Sequence, residues 1–120
     1  FNDLQDDNPQ ETFDAFLGAA SELELAYIHA IRLPTGRVDN LALAHQYFPG
    51  KVIGNESFDQ AEADAAIAAG EPAAGSFGRA FIGNPDRVER FRNGWPLAKF
   101  DMAGLYNPGA AGYSDYPAYQ

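Results

Sequence analysis

The sequence predicts an α/β fold with parallel strands, on three observations. Amphipathic helical patterns alternate with short apolar runs, in the order helix, strand, helix, strand, helix, strand, helix and a closing coil. Start and stop residues punctuate the helical patterns. The strands are separated by helices, which implies parallel pairing through right-handed crossovers. Three such strands cannot cover their own edges, so the pattern points to part of a larger sheet or barrel. A complete eight-fold barrel needs about 250 residues, and this chain has 120.

Each element has its own signal. Asn8 can cap the first helix, Pro9 suits its first position, and Glu11 stands three residues after the cap. Phe13, Phe16, Leu17, Ala20 and Leu23 then form one apolar stripe. The apolar run 25–31 reads as a buried strand, closed by Pro34 and Gly36. Leu41, Ala44, Tyr47 and Phe48 predict a second helix ending at Pro49 and Gly50, and residues 51–54 a second strand. The alanine-rich stretch 60–69 stops at Gly70 and reads as a third helix. Residues 73–77 form the weakest strand pattern, with Gly75 inside it and Pro72 before it. Asn84 and Pro85 open a last helix, Asn93 and Gly94 end it, and residues 95–120 are a coil rich in Gly, Pro and Tyr.

Composition narrows the function. Seventeen acids against eight bases leave a formal charge of −9, a mean field that repels phosphate backbones and argues against nucleic-acid binding. The absence of Cys excludes a disulfide scaffold, a Cys-based zinc site and a thiol nucleophile. No apolar run approaches the ~18 residues of a membrane span, so no membrane role and a cytoplasmic location are expected. The chain opens at Phe1 rather than Met, as expected of an excised or cleaved piece. Charge is also uneven. Residues 1–24 hold seven acids and no Lys or Arg, whereas 79–99 hold Arg79, Arg87, Arg90, Arg92 and Lys99 against Asp86 and Glu89. That local excess can place an anion; the plainer reading is a solvated helix face.

In parallel α/β folds, ligands gather beyond the carboxyl ends of the strands. Here those places are residues 29–32, 54–57 and the pair Gly78 and Arg79. Glycine lets backbone N–H groups approach an anion, and Arg adds a two-pronged donor suited to phosphate. By itself the dipeptide also reads as a surface arginine after a turn. His29 reads as a structural histidine and His45 as helix surface.

The run from Phe77 through Gly78, Arg79, Ala80, Phe81, Ile82, Gly83, Asn84 and Pro85 to Asp86 resembles the last-strand signature of the old yellow enzyme family. Gly94, Pro96 and Leu97, then Tyr106, then Gly112, Tyr113, Ser114, Asp115, Tyr116 and Pro117 resemble its C-terminal segments. Upstream, Phe1, Asn2 and Asp3 with Pro9, Glu11 and Phe13 resemble the segment after the fifth strand, and residues 25–29 the sixth strand. The resemblance implies the C-terminal three βα units of a (β/α)8 TIM barrel plus a C-terminal coil, one domain part over residues 1–120. It also implies FMN as cofactor, NAD(P)H as hydride donor and an activated alkene as substrate. Gly78 and Arg79 would bind the FMN phosphate, with Asn55, Glu56 and Ser57 cradling it from the loop after the seventh strand. Tyr113 would line the substrate pocket.

The family's substrate-holding and proton-donating residues lie in earlier strands, so no catalytic residue and no metal site are assigned here. The partner implied is the N-terminal barrel segment, from another chain or the parent polypeptide. Two positions depart from the family pattern. Glu56 stands where a glycine or small residue is usual, and Ala73 and Gly75 replace an acidic and a branched apolar residue. Two other readings stand beside this one: a non-catalytic fragment that folds or oligomerises through its strand edges, and a small α/β phosphate-binding module unrelated to flavin.

Overall fold

In the computed structural model, which describes residues 6–33, 36–56 and 58–120, the chain divides into two compact units, Phe1–Ser76 and Phe77–Gln120. The first unit opens with α1 (Pro9–Ser21), capped as its sequence predicts. The Asn8 side chain accepts from the Glu11 N–H, and its Nδ2 donates to the Glu11 carboxylate at 2.7 Å. There follow β1 (Ile28–Ile31), α2 (Asn40–Tyr47), β2 (Val52–Asn55), α3 (Gln60–Ala69) and β3 (Ala74–Gly75). Asp39 caps α2 by accepting from the Ala42 N–H. Asp59 and Glu62 form a capping box at the start of α3, and Gly70 ends it in the left-handed conformation at φ 79°.

The three strands form one parallel sheet in the order β1-β2-β3, with Ile28 opposite Val52 and Ile53 opposite Ala74. Successive residues of β2 alternate between faces. Val52, fully buried, and Gly54 face the helical layer, where Leu41, Leu43, Ala44, Phe48, Phe58 and Ala63 complete the core. Gly54 is required by close approach: a Cβ there would stand 3.2 Å from the Phe58 ring and 3.4 Å from Leu41 and Pro72. Ile53 and Asn55 turn to the opposite, half-exposed face.

Two strands are shorter than their apolar runs. The run at 25–31 pairs only from Ile28, because its neighbour begins at Val52 after the turn at Pro49 and Gly50. The run at 73–77 is strand only at Ala74–Gly75, because β2 ends at Asn55 and the chain turns away at Glu56. The apolar stripe of α1 is also only half used. Leu17 and Ala20 are buried, whereas Phe16 is 62% exposed and Phe13 and Leu23 are exposed too. Phe13 and Phe16 instead line an apolar groove of about 360 Å³ with Leu17, Leu33, Leu43 and β1, the strand at one edge of the sheet.

The second unit holds two short helices, α4 (Arg79–Ile82) and α5 (Arg87–Asn93), followed by turns without helix or strand over residues 95–120. The sequence pattern did not reveal α4, and it placed the start of α5 two residues early. Asn84 does not cap a helix. It is 1% exposed, donating through Nδ2 to the Ala80 and Ala98 carbonyls and accepting from the Ala98 N–H at 2.7 Å. That amide pins the coil to α4. Trp95 stacks on Tyr119 with ring centroids 4.8 Å apart, and Leu105 is buried.

Candidate functional site

His29 on β1, the carboxyl end of β2 and the residue after β3 form a polar cluster. His29 Nε2 lies 2.7 Å from Ser76 Oγ. Asn55 Nδ2 donates to the same hydroxyl at 2.8 Å and to the Ser76 carbonyl at 2.9 Å. The side-chain donors of Asn55 are thereby engaged within the sheet, leaving its Oδ1, an acceptor, with capacity to spare. His29 is the satisfied histidine its sequence position suggests. His45 is more than helix surface, since its Nδ1 stands 3.1 Å from the Glu71 carbonyl and ties α2 to the turn after α3.

Glu56, directly after β2, adopts φ 72°, the only positive φ outside glycine among the described residues. A side chain resists that left-handed region because Cβ crowds the following carbonyl. A glycine at this position, as the family pattern has it, meets the same turn without strain. Arg32, just beyond β1, braces the loop, an arrangement with no marker in the sequence. Its Nε donates to the Glu56 carbonyl, Nη2 pairs with Glu62 at 3.2 Å, and the guanidinium lies 4.1 Å from the Phe58 ring centroid. Ser57, Phe1, Asn2 and Asp3 lie outside the described residues.

Gly78 and Arg79 sit in the second unit, at the entry to α4. Gly78 has φ −98°, and a Cβ added there would meet nothing within 4 Å. Neither the packing of this chain nor its backbone conformation demands a glycine, and the space beside that backbone is open. An anion drawn against the peptide N–H groups fits such a position, with the exposed guanidinium of Arg79 next to it.

Of the remaining arginines, Arg87 and Arg90 are not on the solvated face that the plainer reading expects. Arg90 is buried: Nε donates to Asp86 at 2.7 Å, Nη1 donates to the Pro96 carbonyl, and the guanidinium lies over the Tyr119 ring. The Tyr119 N–H also donates to Asp86 at 2.7 Å, and these bonds hold the Asp86 carboxyl below its ordinary pKa, the Tyr119 bond first and Arg90 second. Arg87 is 2% exposed and packs against the rings of Phe77 and Phe91, with Cζ 4.5 Å from each centroid. Of these three, only Arg92 is exposed, paired with Glu89. Periodicity could not separate these roles, because Arg87, Arg90 and Arg92 share one short helix.

Tyr113 is 53% exposed in a turn whose backbone N–H donates to Ala110. Its neighbour Tyr116 is structural, its hydroxyl accepting from the Asp101 N–H. Among the described residues no group of three or more potential metal ligands stands together, and no helix is long and apolar enough to cross a membrane.

No protein-family model matches the chain. Individual proteins do. It is 33% identical over 121 residues to a protein of Leishmania infantum named a probable flavin mononucleotide-dependent alkene reductase, covering 98% of this chain and 33% of that one. A crystal structure of TcOYE with pHBA superposes with a TM-score of 0.87 at 36% identity, covering 95% of this chain and 31% of that chain. Morphinone reductase in complex with tetrahydroNAD gives 0.85 at 33% identity, covering 98% and 32%. The chain is thus similar over nearly its whole length to old yellow enzymes and flavin-dependent alkene reductases, and it spans about a third of the length of the relatives it matches.

Proposed function

We propose that this chain supplies the C-terminal three βα units and closing coil of an FMN-dependent ene-reductase barrel. The observation that carries the reading is the Gly78 and Arg79 pair. It stands at the entry to α4, three residues beyond β3, with open space beside the glycine and a guanidinium at the next residue. In this reading the Gly78 backbone and Arg79 hold the phosphate of FMN, a role that the resemblance also gives to Asn55, Glu56 and Ser57. FMN, when bound, supplies the hydride chemistry that reduces an activated C=C bond, with NAD(P)H as the source. The residues of this chain bind and orient; Tyr113 lines the pocket wall. The groups that hold the alkene carbonyl and deliver the proton belong to the N-terminal barrel segment.

Two features of the first unit support that partner. β1 is an edge strand flanked by the apolar groove under Phe13 and Phe16, a surface suited to a further strand and its side chains. His29 on β1 and Asn55 on β2 both bond to Ser76 beyond β3, which ties the three parallel strands into one continuous sheet, as adjacent strands of a (β/α)8 barrel are. The same open edge favours the second reading, self-association without catalysis.

The test is flavin binding, followed by fluorescence quenching, with FMN and riboflavin compared on the wild type and Arg79→Ala. The reading expects FMN to bind more tightly than riboflavin, and Arg79→Ala to erase most of that difference. Equal affinities in the wild type would remove Arg79 and Gly78 from the phosphate site. Sedimentation at rising concentration, without flavin, distinguishes self-association.

A further inference from the structure

Arg87 stands apart from the other cations of the second unit. Its Nε and Nη1 are enclosed and have no hydrogen-bond acceptor among the described residues. Arg90 has Asp86 as counter-charge and Arg92 has Glu89. The Arg87 guanidinium is instead held by the faces of Phe77 and Phe91, whose rings meet edge to face at 5.4 Å. Ring faces attract a cation but do not neutralise it. A guanidinium stays charged at neutral pH, so burial leaves the charge in place and removes the water that would screen it. Burial also lowers its pKa from the ordinary arginine value, the mark of a desolvated cation. Such a group destabilises the fold unless something offsets it.

The ring of Phe77, against which the guanidinium lies, belongs to the residue immediately before Gly78. We propose that Arg87 is an electrostatic positioning residue for the anion held at Gly78 and Arg79: a buried, uncompensated positive charge behind the turn that raises its affinity for a phosphate without touching it. This rests on the phosphate reading of Gly78 and Arg79. At a separation on the order of 10 Å and an effective dielectric of about 20, one such charge is worth about ten-fold in affinity for a singly charged anion. It is worth more for a dianion. The corner formed by the two rings fixes the charge, so no side chain needs ordering when the anion arrives.

The experiment is titration of the 120-residue chain with inorganic phosphate, followed by calorimetry, beside thermal unfolding of each variant. Arg87→Met keeps the side-chain length and deletes the charge. It is expected to raise the melting temperature, since an unpaired buried cation is gone, and to weaken phosphate binding about ten-fold. Arg87→Lys keeps the charge and should hold phosphate affinity within about three-fold of the wild type. A purely structural arginine would leave phosphate affinity unmoved by Arg87→Met, or lose it together with stability and equally in the lysine variant. Either result overturns the proposal. Arg79→Ala distinguishes the two levels. If it weakens phosphate binding while Arg87→Met does not, the anion site stands and the role of Arg87 falls. If the wild type binds no phosphate, both fall.

Discussion

His29 Nε2 and Ser76 Oγ lie 2.7 Å apart, joining the first and third strands of the sheet across the strand between them. Asn55, the last residue of that middle strand, donates to the same hydroxyl. One serine oxygen therefore ties all three strands together, on the face of the sheet opposite Val52 and Gly54. Ser76→Ala removes it. The expected result is a loss of about 1 kcal/mol in urea unfolding, with a shift of the His29 ring resonances. Unmoved resonances would mean that the strands meet without this bond.

Glu56 holds a left-handed backbone at φ 72°. Glu56→Gly should raise stability by up to about 1 kcal/mol by relieving the crowding of Cβ, partly offset by the larger conformational freedom of glycine when unfolded. In the phosphate reading it should also tighten FMN binding, because a carboxylate is removed from the border of a dianion. Glu56→Gln separates the two effects: it keeps the strain and deletes the charge. Equal stability of the glycine variant and wild type would show that the turn is not strained by its side chain.

Asn84 makes three hydrogen bonds to backbone groups of α4 and the coil while almost fully buried. Asn84→Ala leaves the Ala98 N–H and two carbonyls without that partner. A loss of about 2–3 kcal/mol is expected. Trp95, the single tryptophan, stacks on Tyr119 and reports on the second unit by fluorescence. A change below about 0.5 kcal/mol would mean that water replaces the amide at little cost.

Asp86 anchors the end of the coil through the Tyr119 N–H and also pairs with Arg90. Its carboxyl pKa lies below the ordinary value, so the folded state binds fewer protons than the unfolded state in the window between the two. Its contribution is fully present above about pH 4 and is lost as pH falls through the lowered value. Trp95 fluorescence should therefore change on acidification below about pH 4, and Asp86→Asn should abolish that part of the transition. An identical acid profile in the variant would place the titrating group elsewhere.

Helices were the most legible part of the fold, because their signals are local. Asn8, Pro9 and Glu11 at α1, and Gly70 at the end of α3, act within a turn of chain and needed nothing distant. The parallel α/β order followed from the alternation of patterns, and the family resemblance from contiguous runs around Gly78 and Tyr113. Strand lengths were not legible. Pairing depends on where the neighbouring strand begins and ends, so 25–31 became Ile28–Ile31 and 73–77 became Ala74–Gly75.

The candidate site divides in the same way. Sequence alone marked Asn55, Glu56, Gly78 and Arg79 as residues that follow the second and third apolar runs, because order along the chain decides that. Tertiary structure decided what each does there. It engaged the Asn55 amide with Ser76, set Glu56 in a glycine conformation, and turned Asn84 from an expected cap into a buried pin. It also placed one arginine of a basic stretch beside a carboxylate and another against two rings, without a counter-charge among the described residues. Charge is a property of the residue, whereas burial and partnership belong to the fold, and it is burial without a partner that makes a charge act at a distance.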